Sequence, residues 1–221
     1  MNRNHDDSRR QQHYGSRFDM SSFGISIFFA LIGYVSTAVQ QLRAQQHRAR
    51  VDRVSEQLKN LYGPLLACVT ASKSSYDAML RQAARDSGKQ SLTPREFRAA
   101  VRRDPQCAAA RAYRTWVKGV LLPLSEKASQ LVIDRADLLE NAGIEPLLLQ
   151  LVAHVSAYKV ILQRWKEGGD EALSAIPYPD DIHAWVEAGF AKLKQRQAEL
   201  LGIAPDGTQG SPLMQFIASR L

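Results

Sequence analysis

Histidine and acidic side chains are the groups in this sequence whose types could support acid–base or metal chemistry. His183 and Glu187 are one helical turn apart, with Asp180 just before them, so they could share a proton or a metal ion on one helix face. A metal ion would need a third and a fourth ligand, and the sequence nominates none. His154 lies among the apolar positions of another helical pattern, which favours a histidine at the edge of the core over a catalytic one.

No nucleophile or phosphate-binding motif accompanies these histidines. The sequence has no Gly-x-Ser-x-Gly elbow, no cysteine beside a motif histidine and no glycine-rich phosphate loop. Its two cysteines, Cys68 and Cys107, are too few for a zinc site or a disulfide framework. The sequence therefore favours a non-enzymatic protein that needs no cofactor and no metal. An enzyme of unknown chemistry that uses one of the two histidines is the alternative.

A group of basic residues is the best candidate for a binding surface. Residues 43–118 carry 16 Lys or Arg against 6 Asp or Glu, whereas residues 119–221 carry 9 against 13. Helical spacing places three cations on one face of each of two successive helices, and we call these six residues the basic cluster: Arg95, Arg98, Arg102, Arg111, Arg114 and Lys118. Near an anionic lipid surface each cation would contribute on the order of 1 kcal/mol. The basic cluster is predicted to bind lipid headgroups or an acidic protein surface, or else it only faces water.

Aromatic residues interleaved with the basic cluster raise the question of nucleic-acid binding. Phe97, Tyr113 and Trp116 alternate with the cations, a combination found in proteins that bind single-stranded nucleic acids. The same three residues occupy apolar positions of the helical pattern, which assigns them to the core. A nucleic-acid partner is therefore not favoured.

The element that would position such a domain is a hydrophobic segment near the N-terminus. No charged side chain occurs from Met20 to Leu42, and apolar residues between Phe23 and Val39 point in every direction around a helix. A helix over the whole segment would be about 35 Å long, enough for a hydrocarbon core of about 30 Å. We therefore predict a single-pass transmembrane helix over residues 20–42, surrounded by the lipid bilayer.

A cleaved signal peptide is the alternative interpretation of this segment. Ser36 and Ala38 stand where a small-x-small cleavage site would end the apolar run, which would give an exported helical binding protein that starts at Val39. The acidic residues of the preceding arm and the length of the run argue against cleavage. The basic flank that follows the segment is denser than the one before it, so the C-terminal domain is predicted on the cytoplasmic side.

Small residues form a stripe along the predicted transmembrane helix. They recur at spacings of 4, 3 and 4, and they are Ser26, Ala30, Gly33 and Thr37. Such stripes let helices approach closely in lipid, so we predict helix packing in the membrane here, through self-association or with another membrane protein. The alternative is that small residues are simply common in transmembrane helices.

Helical patterns continue through the rest of the chain, with no strand-like alternation. The apolar residues Val51, Val54, Leu58, Leu61 and Leu65 follow heptad spacing into Gly63-Pro64, where a kink or break is expected near Tyr62. Thr93 to Glu96 has the pattern of a helix capping box, and Asp104-Pro105 that of a further helix start.

Two long helices are predicted in the C-terminal half. Residues 146–167 form the candidate central helix, and Asp180 and Asp181 would lie in the first turn of the last helix, which ends at Gly202. The chain is therefore predicted to be all-α. It divides into a polar disordered arm (1–19), the transmembrane helix (20–42), an irregular bundle of five to seven helices (43–202) and a C-terminal tail (203–221).

One stretch of the sequence resembles a known group of proteins. The run Gln57-Leu-Lys-Asn-Leu-Tyr-Gly-Pro-Leu-Leu66 is similar to a segment of uncharacterised single-span membrane proteins of bacteria and algae. In that group a short arm and a span precede a helical domain, so the resemblance implies the architecture and no particular activity. Taken together, the sequence predicts a membrane-tethered helical protein without enzymatic activity, an accessory or scaffolding subunit of a membrane-associated assembly.

Overall fold

A computed structural model describes residues 20–140, 143–169 and 174–203 of the protein, with side chains described from Ile27 onward. All regular structure in these ranges is helical, and they contain no strand. The all-α prediction is therefore confirmed. The predicted N-terminal arm lies outside the described residues, as does the predicted tail after Ile203.

The chain divides into two compact units, Met1–Ala49 and Arg50–Leu221. The first helix, α1, covers Met20–Gln57, so the division falls within its bounds. In the first unit, every described side chain from Ile27 to Ala49 is exposed.

The second unit is a helical bundle, as the sequence predicts. After the end of α1 its helices are α2 (Gly63–Asp86), α3 (Pro94–Arg103), α4 (Ala108–Trp116), α5 (Leu122–Asp134), α6 (Pro146–Lys166) and α7 (Ile182–Leu201). Three short elements join them: a first π turn (Leu58–Tyr62), a second π turn (Val117–Leu121) and a 3-10 turn (Ala136–Leu138).

Helix α2 lies at the centre of this bundle and packs against α5 and α7, while α5 also packs against α6. The heptad residues that lead into α2 supply much of the core, because Leu61 is 1% exposed and Leu65 is fully buried. Complete burial of one such leucine stabilises the fold by roughly 1.5–3 kcal/mol. The predicted apolar seam therefore faces the core, with only Val51, at its beginning, partly exposed.

The two π turns accommodate Pro64 and Pro123, which follow them in the helical pattern. In the first turn the Gly63 amide donates to the Leu58 carbonyl, and in the second the Leu122 amide donates to the Val117 carbonyl, so each bond reaches back five residues. A proline ring would press on the carbonyl four residues earlier in a regular α-helix, and the wider turn removes that conflict. The interruption predicted near Tyr62 thus takes the form of a π turn, after which the chain stays helical.

Helix starts show one confirmed prediction and one that is wrong. The capping box is present, since the Glu96 amide donates to Thr93 Oγ1 at 3.2 Å and the Thr93 amide donates to Glu96 Oε2 at 2.9 Å. The next helix does not start at Asp104-Pro105 but at Ala108.

A cysteine caps that next helix. Cys107 Sγ accepts a hydrogen bond from the Ala110 amide at 3.3 Å. Asp104 instead accepts from the Gln106 amide at 2.9 Å, which forms a local turn and delays the helix by three residues.

The long C-terminal helices have the predicted extent within a few residues. Helix α6 covers Pro146–Lys166, and the left-handed Gly168 (φ 85°) follows it. Helix α7 begins at Ile182, so Asp180 and Asp181 precede it rather than lying in its first turn. It ends as predicted at Gly202, whose φ of 69° suits glycine.

Two glycines near the π turns give a test of this architecture. A Cβ atom at Gly63 would lie 2.7 Å from the Leu58 carbonyl oxygen, whereas a Cβ at Gly119 would meet no atom within 4 Å. We expect Gly63→Ala to lower the free energy of unfolding by roughly 1–3 kcal/mol, because the Leu58 carbonyl cannot move without losing its π-turn bond. The matched change Gly119→Ala should raise it by up to about 1 kcal/mol, since alanine favours helix.

Urea unfolding of the full chain in mild detergent, followed by circular dichroism, measures both changes. Equal shifts of the two variants in one direction would contradict the role given to the first π turn.

Candidate functional site

Five residues of the basic cluster lie on the adjoining helices α3 and α4, and Lys118 lies in the second π turn that follows α4. Helices α3 and α4 pack against each other, and the rings of Phe97 and Tyr113 meet edge to face at 5.9 Å between them. Both rings are buried, and Trp116 is half-buried with its indole nitrogen donating to Gln82 Oε1 at 3.2 Å. Phe97 and Tyr113 thus belong to the core and Trp116 to its edge. No nucleic-acid base could stack on Phe97 or Tyr113, because both rings are buried.

Two cations of the cluster contact aromatic side chains of the bundle. Burial raises the pKa of Tyr76 on α2, and the nearby Arg98 guanidinium partly opposes that rise. The Lys118 ammonium lies 5.4 Å from the ring centroid of Trp165 on α6, a cation–π contact. These two side chains therefore help to join neighbouring helices.

Two further cations hold the connection between α3 and α4. Arg111 donates to the Gln106 carbonyl, and Arg114 donates to the Pro105 carbonyl at 2.8 Å. Their guanidinium groups fix the chain between the two helices, so they are less available to a partner than their spacing suggests.

All members of the basic cluster except Arg114 are exposed, and Arg95 and Arg102 differ from the others because they have no polar or aromatic partner among the described residues. Two exposed arginines that the sequence analysis missed, Arg81 and Arg85, line a shallow cleft of about 430 Å³ between the end of α2 and the segment that leads into α3. Their spacing of four residues places them on one helix face and could have identified them from the sequence. We call these four arginines the outer basic surface.

The outer basic surface lies toward one end of the bundle. Tyr76 and Gln82, which contact the basic helices, belong to the second half of α2, and Tyr76 is about 20 Å along the helix from Gly63. The beginning of the bundle is at the opposite end, where Gln57 Nε2 donates to the Leu138 carbonyl at 2.8 Å. The cations thus lie far from the point where the chain joins the bundle.

His154 occupies the edge of the core, as predicted. It is half-buried, its Nδ1 donates to the Ile176 carbonyl at 2.7 Å, and its ring packs 4.8 Å from that of Tyr158 and 5.5 Å from that of Tyr178. Burial lowers the pKa of His154 below its ordinary value, and the bond to Ile176 only partly opposes this.

A row of α6 side chains fastens a loop that we call the strap (residues 174–179). Gln150 Nε2 donates to the Pro177 carbonyl at 3.2 Å, His154 donates to the Ile176 carbonyl, and the Tyr158 hydroxyl lies near the backbone of Ser174. The three α6 residues are four apart and therefore share a helix face. Their polar atoms are used to hold the strap, which is a structural task.

Buried tyrosines complete this polar part of the core. The hydroxyl groups of Tyr113 and Tyr158 hydrogen-bond to each other, and burial raises the pKa of both. Both phenols are therefore neutral at physiological pH, which suits a structural link between α4 and α6.

The second candidate histidine also has local partners. His183 Nε2 lies 3.1 Å from Thr70 Oγ1, and its Nδ1 lies 3.6 Å from a carboxylate oxygen of Glu187. Within the described ranges, no group of three His, Cys, Asp or Glu side chains is arranged to hold a metal ion. Two shallow clefts among the described residues, of about 450 and 430 Å³, are lined by neither His154 nor His183.

The small-residue stripe lies on α1, with the side chain of Ser26 outside the described residues. Ala30, Gly33 and Thr37 are exposed, and a Cβ at Gly33 would meet no atom within 4 Å. Thr37 Oγ1 and the neighbouring Ser36 Oγ donate to the Gly33 carbonyl at 2.8 and 2.9 Å. The hydroxyl groups near the stripe are thus satisfied within the helix itself.

One helix among the described residues is long and apolar enough to cross a membrane. This is Pro146–Lys166, with a mean hydropathy of 1.2 and 28% of its most apolar window buried. The core helix of a water-soluble bundle can have the same properties, and α6 contributes buried residues such as Leu148 and Leu151 to the core. The predicted transmembrane helix begins at residue 20, whereas side chains are described only from Ile27 onward. The first part of that predicted helix therefore lies outside this comparison.

The described fold is an all-α bundle preceded by an exposed apolar helix. No family model, curated protein or solved structure matches the chain. The resemblance to single-span proteins of bacteria and algae therefore stays a prediction.

The lowered pKa of His154 predicts how stability depends on pH. The unfolded chain takes up this proton near pH 6.5, whereas the folded chain takes it up only at lower pH. The contribution of neutral His154 is therefore complete above about pH 6.5 and declines as the pH falls below that value. We expect the free energy of unfolding of His154→Gln to fall less steeply than that of the native protein between about pH 7 and pH 5.

Parallel pH curves for the two proteins, from urea unfolding at each pH, would show that His154 titrates as it does in the unfolded chain.

Proposed function

We propose that this chain is a single-pass membrane protein without enzymatic activity, an accessory or scaffolding subunit of a membrane-associated assembly. The observation that carries the proposal is the exposed apolar surface of α1. Phe28 is 60% exposed, Phe29 65% and Leu31 57%, and neighbouring side chains point about 100° apart around a helix. A helix that exposes apolar groups on all sides is stable in lipid, whereas in water each Å² of this surface costs about 25 cal/mol.

The polar groups of α1 support this proposal. Lipid offers no hydrogen-bond partners, so a hydroxyl group in a transmembrane helix has to find its partner within protein. Ser36 and Thr37 do this through the Gly33 carbonyl of their own helix. The stripe of small residues then remains open for a second copy of α1 or for the helix of another membrane protein.

The outer basic surface supports the scaffolding part of the proposal. It lies beside the end of α2, far from the start of the bundle, and it includes arginines without partners among the described residues. An acidic protein surface suits such a position better than the headgroups of the membrane that holds α1. The dense basic flank at Arg43, Arg48 and Arg50 favours the cytoplasmic side for the bundle.

Charges introduced into α1 test the tether. We expect the native full chain to stay in the membrane fraction after a carbonate wash. Leu31→Arg combined with Ile32→Arg should release it, since each arginine costs about 2.5–3.5 kcal/mol at the centre of a span. The matched control is Gln45→Arg with Gln46→Arg, which adds the same charge to an exposed part of α1 beyond the proposed span.

Recovery of the native chain in the soluble fraction would refute the tether. A mature protein that starts at Val39, detected by mass spectrometry, would instead establish the exported protein with a cleaved signal peptide.

Charge reversal tests the outer basic surface. We expect Arg95→Glu with Arg102→Glu to reduce several-fold the recovery of a partner that co-purifies in mild detergent and is released by rising salt. The matched control is Lys159→Glu with Lys166→Glu, which changes the charge equally at exposed positions of α6. Equal recovery with both double variants would remove the outer basic surface from the proposal.

A further inference from the structure

Contacts within the second unit define one end of the bundle. Gln57 binds the Leu138 carbonyl, and Gln197 Nε2 donates to Ser55 Oγ at 3.0 Å. Lys192 forms an ion pair with Glu140 at 2.8 Å. The start of the bundle, the 3-10 turn and the last turns of α7 therefore lie together, and we call this region the neck end.

The same end includes the junction of α5 and α6. Helix α5 ends at Asp134, just before the 3-10 turn. Lys118, which precedes α5, contacts Trp165 near the end of α6, so α5 and α6 run antiparallel. The first turns of α6 consequently lie beside the last turn of α5, at the neck end.

Exposed aliphatic side chains are concentrated at the neck end. Among the described residues of the second unit, the large apolar side chains that are exposed at this end are Ile133 (56%), Ile144 (41%), Leu149 (51%), Leu201 (52%) and Ile203 (57%). Only Val160 (55%), toward the other end of α6, lies elsewhere. Single exposed apolar residues are ordinary, but their concentration at one end of a bundle indicates a contact surface.

The covalent chain restricts what can cover this surface. Arg50, where the second unit begins, follows Leu42 by eight residues. Eight residues reach at most about 29 Å even when fully extended. If α1 crosses the bilayer as proposed above, the start of the second unit at the neck end therefore lies within about 29 Å of the end of the span. The exposed Arg48 and Arg50 provide the positive charge that suits anionic headgroups.

We propose that the neck end of the bundle rests on the membrane surface, with Leu149, Leu201 and Ile203 among the side chains that enter the interface between headgroups and acyl chains. This inference rests on the membrane tether of the proposed function. It adds that the bundle has a fixed face toward the bilayer and does not move as a free domain on a linker. The outer basic surface then points away from the lipid, toward the surrounding solution.

Spin labels at matched positions of α6 test this arrangement. The full chain, with Cys68→Ala and Cys107→Ser to remove the native thiols, is reconstituted at low density in vesicles of phosphatidylcholine and phosphatidylglycerol that contain a nickel-chelating headgroup lipid. A nitroxide is attached at Leu149→Cys or at Ile203→Cys. Val160→Cys is the control, because it is as exposed as Leu149 and lies on the same helix.

The expected result is a several-fold larger relaxation enhancement by the nickel lipid at residues 149 and 203 than at residue 160. Equal enhancement at all three positions, in protein that floats with the vesicles, would overturn the membrane-facing surface and leave the tether intact. Broadening at residues 149 and 203 that grows with protein density and needs no nickel lipid would assign the surface to a second copy and overturn the proposal. Failure to float with the vesicles would refute the tether and this inference together.

Discussion

Pro64 and Pro123 each remove a backbone donor from a helix at the centre of the bundle. The sequence around them has one pattern, which occurs at 58–65 and at 117–124. It consists of an aliphatic residue, lysine, any residue, a second aliphatic residue, any two residues and then Pro-Leu. In both places a π turn precedes the proline, and the helix that follows is one of the central pair, α2 and α5. Each π turn also contacts the helix that the other one begins. The packing of α3, α4, α6 and α7 depends on this reciprocal pair.

Local chemistry explains which parts of the fold the sequence predicts. The capping box at Thr93 and the stop at Gly202 depend on residues within one turn, so their patterns are sufficient. The heptad seam predicts burial because periodicity alone decides which face is apolar. Asp104 shows the limit of such patterns, since a turn at Gln106 and a helix start compete for the same carboxylate. Pro64 predicts an interruption near Tyr62, but a proline within a helical pattern does not decide between a break and a π turn.

The sequence predicts which residues form the candidate site, but it does not predict which of their side chains are free to bind a partner. Helical spacing predicts two successive basic faces, and the structure places five of the six cations on α3 and α4 and Lys118 in the second π turn. The spacing could not show that Arg98 lies beside Tyr76, which depends on the packing of α3 against α2. It also could not show that Arg111 and Arg114 donate to two carbonyls, which depends on the conformation of the loop between α3 and α4. His154 is similar, since its apolar neighbours in sequence predict the edge of the core, whereas its bond to Ile176 depends on a loop that returns from residues 22 positions later. The sequence thus predicts which long polar side chains lie on a common surface, whereas only the folded structure shows which partners they bind.

The hydrogen bonds of residues 53–57 have a consequence for biogenesis. Arg53 and Gln57 bind carbonyls 84 and 81 residues later, and Ser55 binds Gln197, which is 142 residues away. Synthesis proceeds at about 5–20 residues per second, so the first segment of the bundle emerges from the ribosome about 7–28 s before its last partner. During that interval its apolar seam has no partner from α7. Because α1 is translated first, it emerges before the bundle can complete its fold with α7. Chaperones or targeting factors can act on the nascent chain during that interval.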